Sequence, residues 1–253
     1  MSTGSHVRAR WNRAEACLGG WCMTGSPFIA EAIGRAGYDY VCLDMQHGLV
    51  GYEAVVHALF AITGTGASPV IRVPSHDSGM IGRVLDAGAE AVVVPLVETP
   101  EQAAAVARAC RYFPDGHRSI GSIRGGYALQ GPVGAVNKQV SCIVMIESMQ
   151  GVENVDAICS VPGVDGIYIG PGDLALTLGL APGLAHQPGA HADAIAHVRD
   201  RCIAHGLVAG IQCHSGLDAL AMVKQGYRMV TVTTDSTVVR TGFAEELAVV
   251  RDS

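Results

Sequence analysis

Cys142-Ile143-Val144-Met145-Ile146 is an unbroken apolar run that stops at Glu147, and Gly166-Ile167-Tyr168-Ile169 is a second that passes through the turn Gly170-Pro171-Gly172 to Asp173. Runs without polar alternation suit strands covered on both faces, the arrangement of a parallel sheet with helices packed outside it. Six more runs of this kind lie at 18–22, 40–43, 70–73, 91–94, 208–211 and 229–232. Helical periodicity fills the intervals at 27–36, 52–62, 78–87, 101–110, 152–160, 190–205, 217–224 and 237–251. Eight strand-helix units in 253 residues predict a single (β/α)8 TIM barrel over 1–253, with an open doubly wound sheet as the alternative.

Two segments break the rhythm. Residues 112–139 are rich in Gly, Ser, Arg and Pro and lengthen the connection between the fourth and fifth strands, as functional or covering loops do. Residues 181–189 carry two prolines and read as a connector without chemistry.

Composition narrows the classes. The chain is 49% hydrophobic and 16% charged, against about 25% charge in ordinary domains, so a partner subunit is expected to cover some outer surface. A formal charge of -6 argues against a nucleic-acid groove, which needs a concentrated basic face. Eight cysteines show no C-x-x-C spacing and sit in apolar segments, where they read as small core hydrophobes. No run approaches the roughly 20 apolar residues of a membrane span, and the first sixteen residues hold no signal-like apolar core, so a cytoplasmic protein without membrane contact is expected.

Barrel enzymes carry their chemistry at the C-terminal ends of strands, and polar residues collect there: Asp44, Gln46 and His47 after the second strand, Arg72 in the third, Glu147 after the fifth and Asp173 after the sixth. One such acid would be a strand stop or an N-cap. The pair Glu147 and Asp173, repeated in one structural role, reads as the ligand set of a hard dication such as Mg²⁺, Mn²⁺ or Co²⁺, with positions left open for water and an oxygen-rich substrate. His47 three residues beyond Asp44 suits a general base held by a carboxylate, and equally a capping pair at a turn. Arg72, an arginine within a barrel strand, must meet an acid or face an anion. His214 at another strand end is a weaker candidate.

Gly170-Pro171-Gly172-Asp173-Leu174-Ala175 matches G-x-G-x-x-A, but Asp173 would repel a pyrophosphate, and no NAD is expected. Only Lys138 and Lys224 exist, one just before a strand and one in a helix, so no Schiff-base lysine is expected and a metal must withdraw electrons instead.

The stretches 38–48, 70–73, 85–89, 111–114, 145–148 and 163–174 together resemble the HpcH/HpaI aldolases, the class II pyruvate aldolases, from about residue 18 to 240 and in the family's order. That resemblance implies a carbon-carbon lyase that joins or splits a 2-oxo acid, pyruvate or hydroxypyruvate, and an aldehyde. It implies Glu147 and Asp173 as metal ligands, Arg72 on the keto oxygen, His47 with Asp44 as base dyad, and the backbone at Gly172 and Asp173 as the seat of the donor carboxylate. Gln46 stands where many relatives have Glu, beside the base and within reach of substrate. Met145 replaces a polar residue found in some members. His117-Arg118-Ser119-Ile120-Gly121 departs from the usual Arg-Gly-x-Gly loop expected to border the aldehyde pocket. The family is typically hexameric, with C-terminal helices packed on neighbouring subunits. An oxaloacetate decarboxylase, an acyl-CoA lyase and a barrel that only binds a keto acid are the competing readings.

Overall fold

The computed structural model describes residues 6–128, 131–182 and 187–251; four residues of the 181–189 connector and two of the 112–139 segment lie outside that set. The strands are β1 Cys17–Cys22, β2 Tyr40–Asp44, β3 Ser68–Arg72, β4 Ala91–Val94, β5 Ser141–Ile146, β6 Gly166–Ile169, β7 Val208–Gln212 and β8 Met229–Thr234. The helices are α1 His6–Trp11, α2 Pro27–Arg35, α3 Tyr52–Ile62, α4 Ser78–Asp86, α5 Pro100–Ala109, α6 Gly125–Ala128, α7 Val133–Gln139, α8 Met149–Glu153, α9 Val155–Cys159, α10 Pro171–Thr177, α11 Ala190–Ala204, α12 Gly216–Lys224 and α13 Asp235–Arg251. Each strand pairs in parallel with the next, and β8 pairs with β1, so the sheet closes into an eight-stranded barrel. The eight runs read from the sequence are these eight strands, within two residues at either end. The span expected as one helix at 152–160 is two, divided at Asn154, whose side-chain amide donates to the Glu98 carbonyl at 2.7 Å.

Two apolar layers follow from the pleat. The outward-facing strand residues, among them Val41, Leu43, Ile71, Val92, Val144 and Ile169, join the inner faces of the helices in one large buried cluster. The alternate residues, including Trp21, Tyr40, Cys42, Val70, Val93, Ile143, Met145 and Tyr168, fill the barrel. Large aromatics fit there because glycines stand opposite: a Cβ at Gly19 would overlap the Tyr40 ring, and one at Gly210 would meet the Tyr168 ring. The Tyr168 hydroxyl donates to Thr231 at 2.6 Å, and Tyr40 shares a 2.9 Å hydrogen bond with the same threonine, so the aromatic floor is polar at its centre. All eight cysteines are buried and free.

α1 closes the N-terminal end of the barrel. The Val7 amide donates to Ser68, Trp11 donates to the Arg228 carbonyl, and Arg8 pairs with Asp165 at 2.7 Å. At the other end, Asp235 opens α13 and accepts the Met23 and Thr24 amides and the Thr24 hydroxyl, which ties the last helix to the exit of β1. Among the described residues, no helix is long and apolar enough to cross a membrane.

The segment expected to border the catalytic mouth lies at the opposite end. α5 carries the chain from the C-terminal ends of the strands back to their N-terminal ends, and residues 112–139 begin where it stops. Arg118 reaches Asp86 at 2.6 Å, and Arg124 donates to the Ala87 and Leu59 carbonyls, which all belong to the far ends of α3 and α4. None of its described residues lines the cavity at the catalytic end of this chain.

Candidate active site

A cavity of about 330 Å³ opens at the C-terminal end of the barrel, lined by Arg72, Glu147, Asp173 and His47 together with residues of β1, β6, β7 and β8. The side-chain alternation that fills the barrel also builds this site. Tyr40 and Cys42 point inward, and so does Asp44 two residues further on; Val70 points inward, and so does Arg72; Ile143 and Met145 point inward, and Glu147 follows. Polar groups at the last inward position of a strand stand on the aromatic floor and face the mouth.

Asp44 and Arg72 are neighbours in the register of β2 and β3. The guanidinium grips the carboxylate with two nitrogens, Nε to Oδ1 at 2.9 Å and Nη2 to Oδ2. Trp21 Nε1 also donates to Oδ2 at 3.0 Å, and the Gln46 and His47 amides donate to Oδ1 at 2.9 and 3.1 Å. Burial pushes the Asp44 carboxyl up, but the Arg72 hydrogen bond and charge, with Trp21 and the His47 amide, bring it below its ordinary value. Arg72 is poised above Trp21, 5.2 Å from the ring centroid, and Trp21 packs on Tyr168 at 5.5 Å. With two nitrogens given to Asp44, the other terminal nitrogen of Arg72 is available to a ligand in the cavity.

Glu147 is buried, 3% exposed, and its Oε1 accepts the Leu96 amide at 2.8 Å. Leu96 holds a left-handed φ of 53° to deliver that amide, a conformation that costs a non-glycine residue about 1 kcal/mol or more. The other oxygen lies over the backbone of Gly170, where a Cβ would collide with it. Burial pushes the Glu147 carboxyl up to about 7, and the charge of Asp173 pushes the same way against the pull of the Leu96 amide and Arg72. Asp173 sits in the first turn of α10, exposed at the mouth.

Two acids thus face one cavity, and one of them is displaced upward by burial and by the charge of the other. A divalent cation fits that electrostatic deficit, and the all-oxygen donor set suits a hard one. Among the described residues no group of three or more His, Cys, Asp or Glu forms a ligand cage. Two carboxylates leave the remaining positions to water and substrate, as Mg²⁺ sites commonly do.

The structure departs from two sequence expectations. The Asp44 carboxylate does not hold the His47 imidazole; it caps the backbone of the turn, because it is already saturated by Arg72, Trp21 and two amides. His47 still lines the cavity, and its ring is exposed there. Gln46 does not line the cavity, because the turn capped by Asp44 directs its side chain elsewhere, and its Oε1 is buried without a hydrogen-bond partner among the described residues. Gly172, Met145 and His214 do line it.

Sequence reasoning missed the aromatic and hydroxyl parts of the wall. Trp21, Tyr168, Gln212, Thr233, Thr234, Ser236 and Thr237 all contribute. The period-2 pattern could have found Tyr168, two residues before Gly170, and Gln212, whose Oε1 lies 3.0 Å from the Tyr168 hydroxyl. Thr233 and Thr234 at the end of β8, and Ser236 and Thr237 at the start of α13, carried no such signal.

Comparison with known proteins agrees with this architecture. The chain is 39% identical over 233 residues to a hydroxypyruvate/pyruvate aldolase of Rhizorhabdus wittichii, covering 90% of this chain and 92% of the relative. It is 37% identical over 227 residues to a 5-keto-4-deoxy-D-glucarate aldolase of Escherichia coli, covering 88% of each. A crystal structure of an HpcH/HpaI aldolase/citrate lyase family protein from Burkholderia cenocepacia superposes with a TM-score of 0.90 at 32% identity, over 98% of this chain and 99% of the other. The model of the HpcH/HpaI aldolase/citrate lyase family matches residues 18–242, and the chain belongs to that family.

Proposed function

We propose that the protein is a divalent-metal-dependent aldolase that reversibly joins or cleaves a carbon-carbon bond between a 2-oxo acid, pyruvate or hydroxypyruvate, and an aldehyde. The observation that carries this reading is the convergence of Glu147, Asp173 and Arg72 on one cavity at the catalytic end of the barrel. The names of the two relatives, both aldolases of oxo acids, support it.

Glu147 and Asp173 would hold the cation, whose Lewis acidity toward the carboxylate and keto oxygens supplies the electron withdrawal that a lysine imine supplies in other aldolases. Arg72 would donate its free terminal nitrogen to the keto oxygen, where negative charge develops as the enolate forms. Asp44 stays ionised and fixes the plane of that guanidinium, so the donor is preorganised. The Gly172 and Asp173 backbone would receive the carboxylate of the 2-oxo acid. In cleavage, His47 would take the proton of the C4 hydroxyl; the C3–C4 bond then breaks, the aldehyde departs, and the electron pair stays on the 2-oxo acid until C3 is protonated. Addition is the same path reversed. The Trp21 and Tyr168 rings pack on each other at 5.5 Å and line the cavity.

Assembly belongs to the same proposal. α13 bears Val238, Val239, Phe243 and Leu247 on its surface, all more than 40% exposed in the single chain, which suits burial against another subunit in a homo-oligomer, a hexamer by family resemblance. Purified protein should condense pyruvate or hydroxypyruvate with members of an aldehyde panel when Mg²⁺, Mn²⁺ or Co²⁺ is supplied, and stop when a chelator is added. Turnover that survives complete chelation, or tight keto-acid binding without turnover, overturns the proposal.

A further inference from the structure

His191 is fully buried near the start of α11, yet both of its ring nitrogens are engaged. Nδ1 accepts the Gln187 amide at 3.1 Å, which places the ring proton on Nε2. Nε2 lies 2.9 Å from the Pro171 carbonyl and donates to it. Pro171 is itself buried and stands directly before Gly172 and Asp173, the residues assigned above to donor carboxylate and cation. Gln187 closes the connector on its other side, with its side-chain amide donating to the Ala181 carbonyl at 2.8 Å. One imidazole therefore joins the first turn of α10, the end of the connector and α11.

A buried ring that served only to fill space would be better made of carbon, since sealing two polar nitrogens away from water costs free energy unless each finds a partner. Here the donor is spent on the one carbonyl next to Gly172 and Asp173. α10 has only seven residues and begins at an apolar strand end, so its own helical hydrogen bonds anchor it weakly. Its position is set by contacts outside itself: Leu174 and Ala175 are buried in the core, and the Pro171 carbonyl is held by His191.

We propose that His191 is a positioning residue: by holding the Pro171 carbonyl it sets the placement of Gly172 and Asp173 in the cavity, without touching substrate or cation. The assignment rests on the aldolase reading for its kinetic consequence and on geometry alone for its structural one. Three proteins test it, the wild type, His191→Phe, which keeps a ring but neither hydrogen bond, and His191→Gln, which keeps a donor and an acceptor. In metal-free protein, amide hydrogen exchange of peptides covering 170–178 should speed up at least tenfold in H191F and stay within threefold of wild type in H191Q. With Mn²⁺, pyruvate and an aldehyde, the KM for pyruvate should rise at least tenfold in H191F with kcat changed less than about threefold, and H191Q should restore it. Wild-type exchange and KM in H191F, or H191Q as impaired as H191F, overturns the assignment. If H191F does not fold, H191Q decides: a departure of more than threefold in either exchange or KM overturns it. A wild type that exchanges as described but does not turn over would sink the aldolase reading while leaving the positioning role to the exchange data.

Discussion

Replacing Glu147 by Gln should stabilise the metal-free protein and abolish its activity, and the stabilisation should depend on pH in a way that only a buried, displaced carboxyl produces. The Glu147 carboxyl rises from 4.5 to about 7 on folding, because burial and Asp173 disfavour its charge. Between those values the folded protein holds a proton that the unfolded chain has lost, so wild-type stability falls as pH climbs from about 4.5 to about 7 and remains lowered above that. The full loss is about 3 kcal/mol, at roughly 1.4 kcal/mol for each tenfold change in proton affinity. Glutamine mimics the protonated acid and can still accept the Leu96 amide, so E147Q escapes the loss. For a chain of this size, about 2–4 °C of melting temperature accompanies each kcal/mol. Thermal unfolding in chelator should therefore show E147Q melting roughly 6–12 °C above wild type at pH 8 and close to it at pH 5. Saturating Mn²⁺ should close most of that gap, since a cation at a hundred times its Kd adds about 2.7 kcal/mol to the protein that binds it, against a loss of about 3 kcal/mol. A melting difference that is the same at pH 5 and pH 8 would refute the reasoning, because Glu147 would then be ionising as an ordinary surface acid.

Four other variants probe the rest of the site. His47→Ala should lower kcat about 100-fold or more with little change in melting temperature, and an enzyme that keeps its rate would reduce His47 to a turn residue. Arg72→Lys loses the two-point grip on Asp44 and the fixed donor toward the keto oxygen, so kcat/KM measured by pyruvate formation should fall about 10²–10³-fold; Arg72→Ala should in addition cost about 3–5 kcal/mol in denaturant unfolding, because Asp44 is left buried without its partner. Gly170→Ala places a methyl on the Glu147 carboxylate, so Mn²⁺ titration should show at least tenfold weaker binding, and wild-type affinity would mean that Glu147 does not hold the cation.

The apolar runs, helical intervals and polar residues at strand ends already carried the barrel, because an inward-and-outward buried strand cannot alternate and a strand end is the only place where such a chain can show polar groups to the mouth. Cys142 to Ile146 followed by Glu147 is the plainest example. Partners were harder. Asp44 and His47 are three apart in sequence, which suggested that they touch, while Asp44 and Arg72 are 28 apart and in fact form the tight pair. The 112–139 segment looked like a cover for the site because it is long and rich in glycine, yet a loop that follows an outer helix belongs to the other end of the barrel.

What the sequence determined by itself is the kind of chain this is: eight buried strands with their helices, a rim bearing Asp44, Arg72, Glu147 and Asp173, and motifs that place it in its family. Only the tertiary structure decided who faces whom. Strand register set Arg72 beside Asp44, closure of the barrel brought β8 and the hydroxyls of α13 to the same mouth as β1, and packing of α11 on α10 seated His191 behind Pro171. Local composition fixes periodicity and burial, which depend on near neighbours along the chain. The charge balance at Glu147 and the anchoring of α10 depend on groups that meet only when the sheet closes.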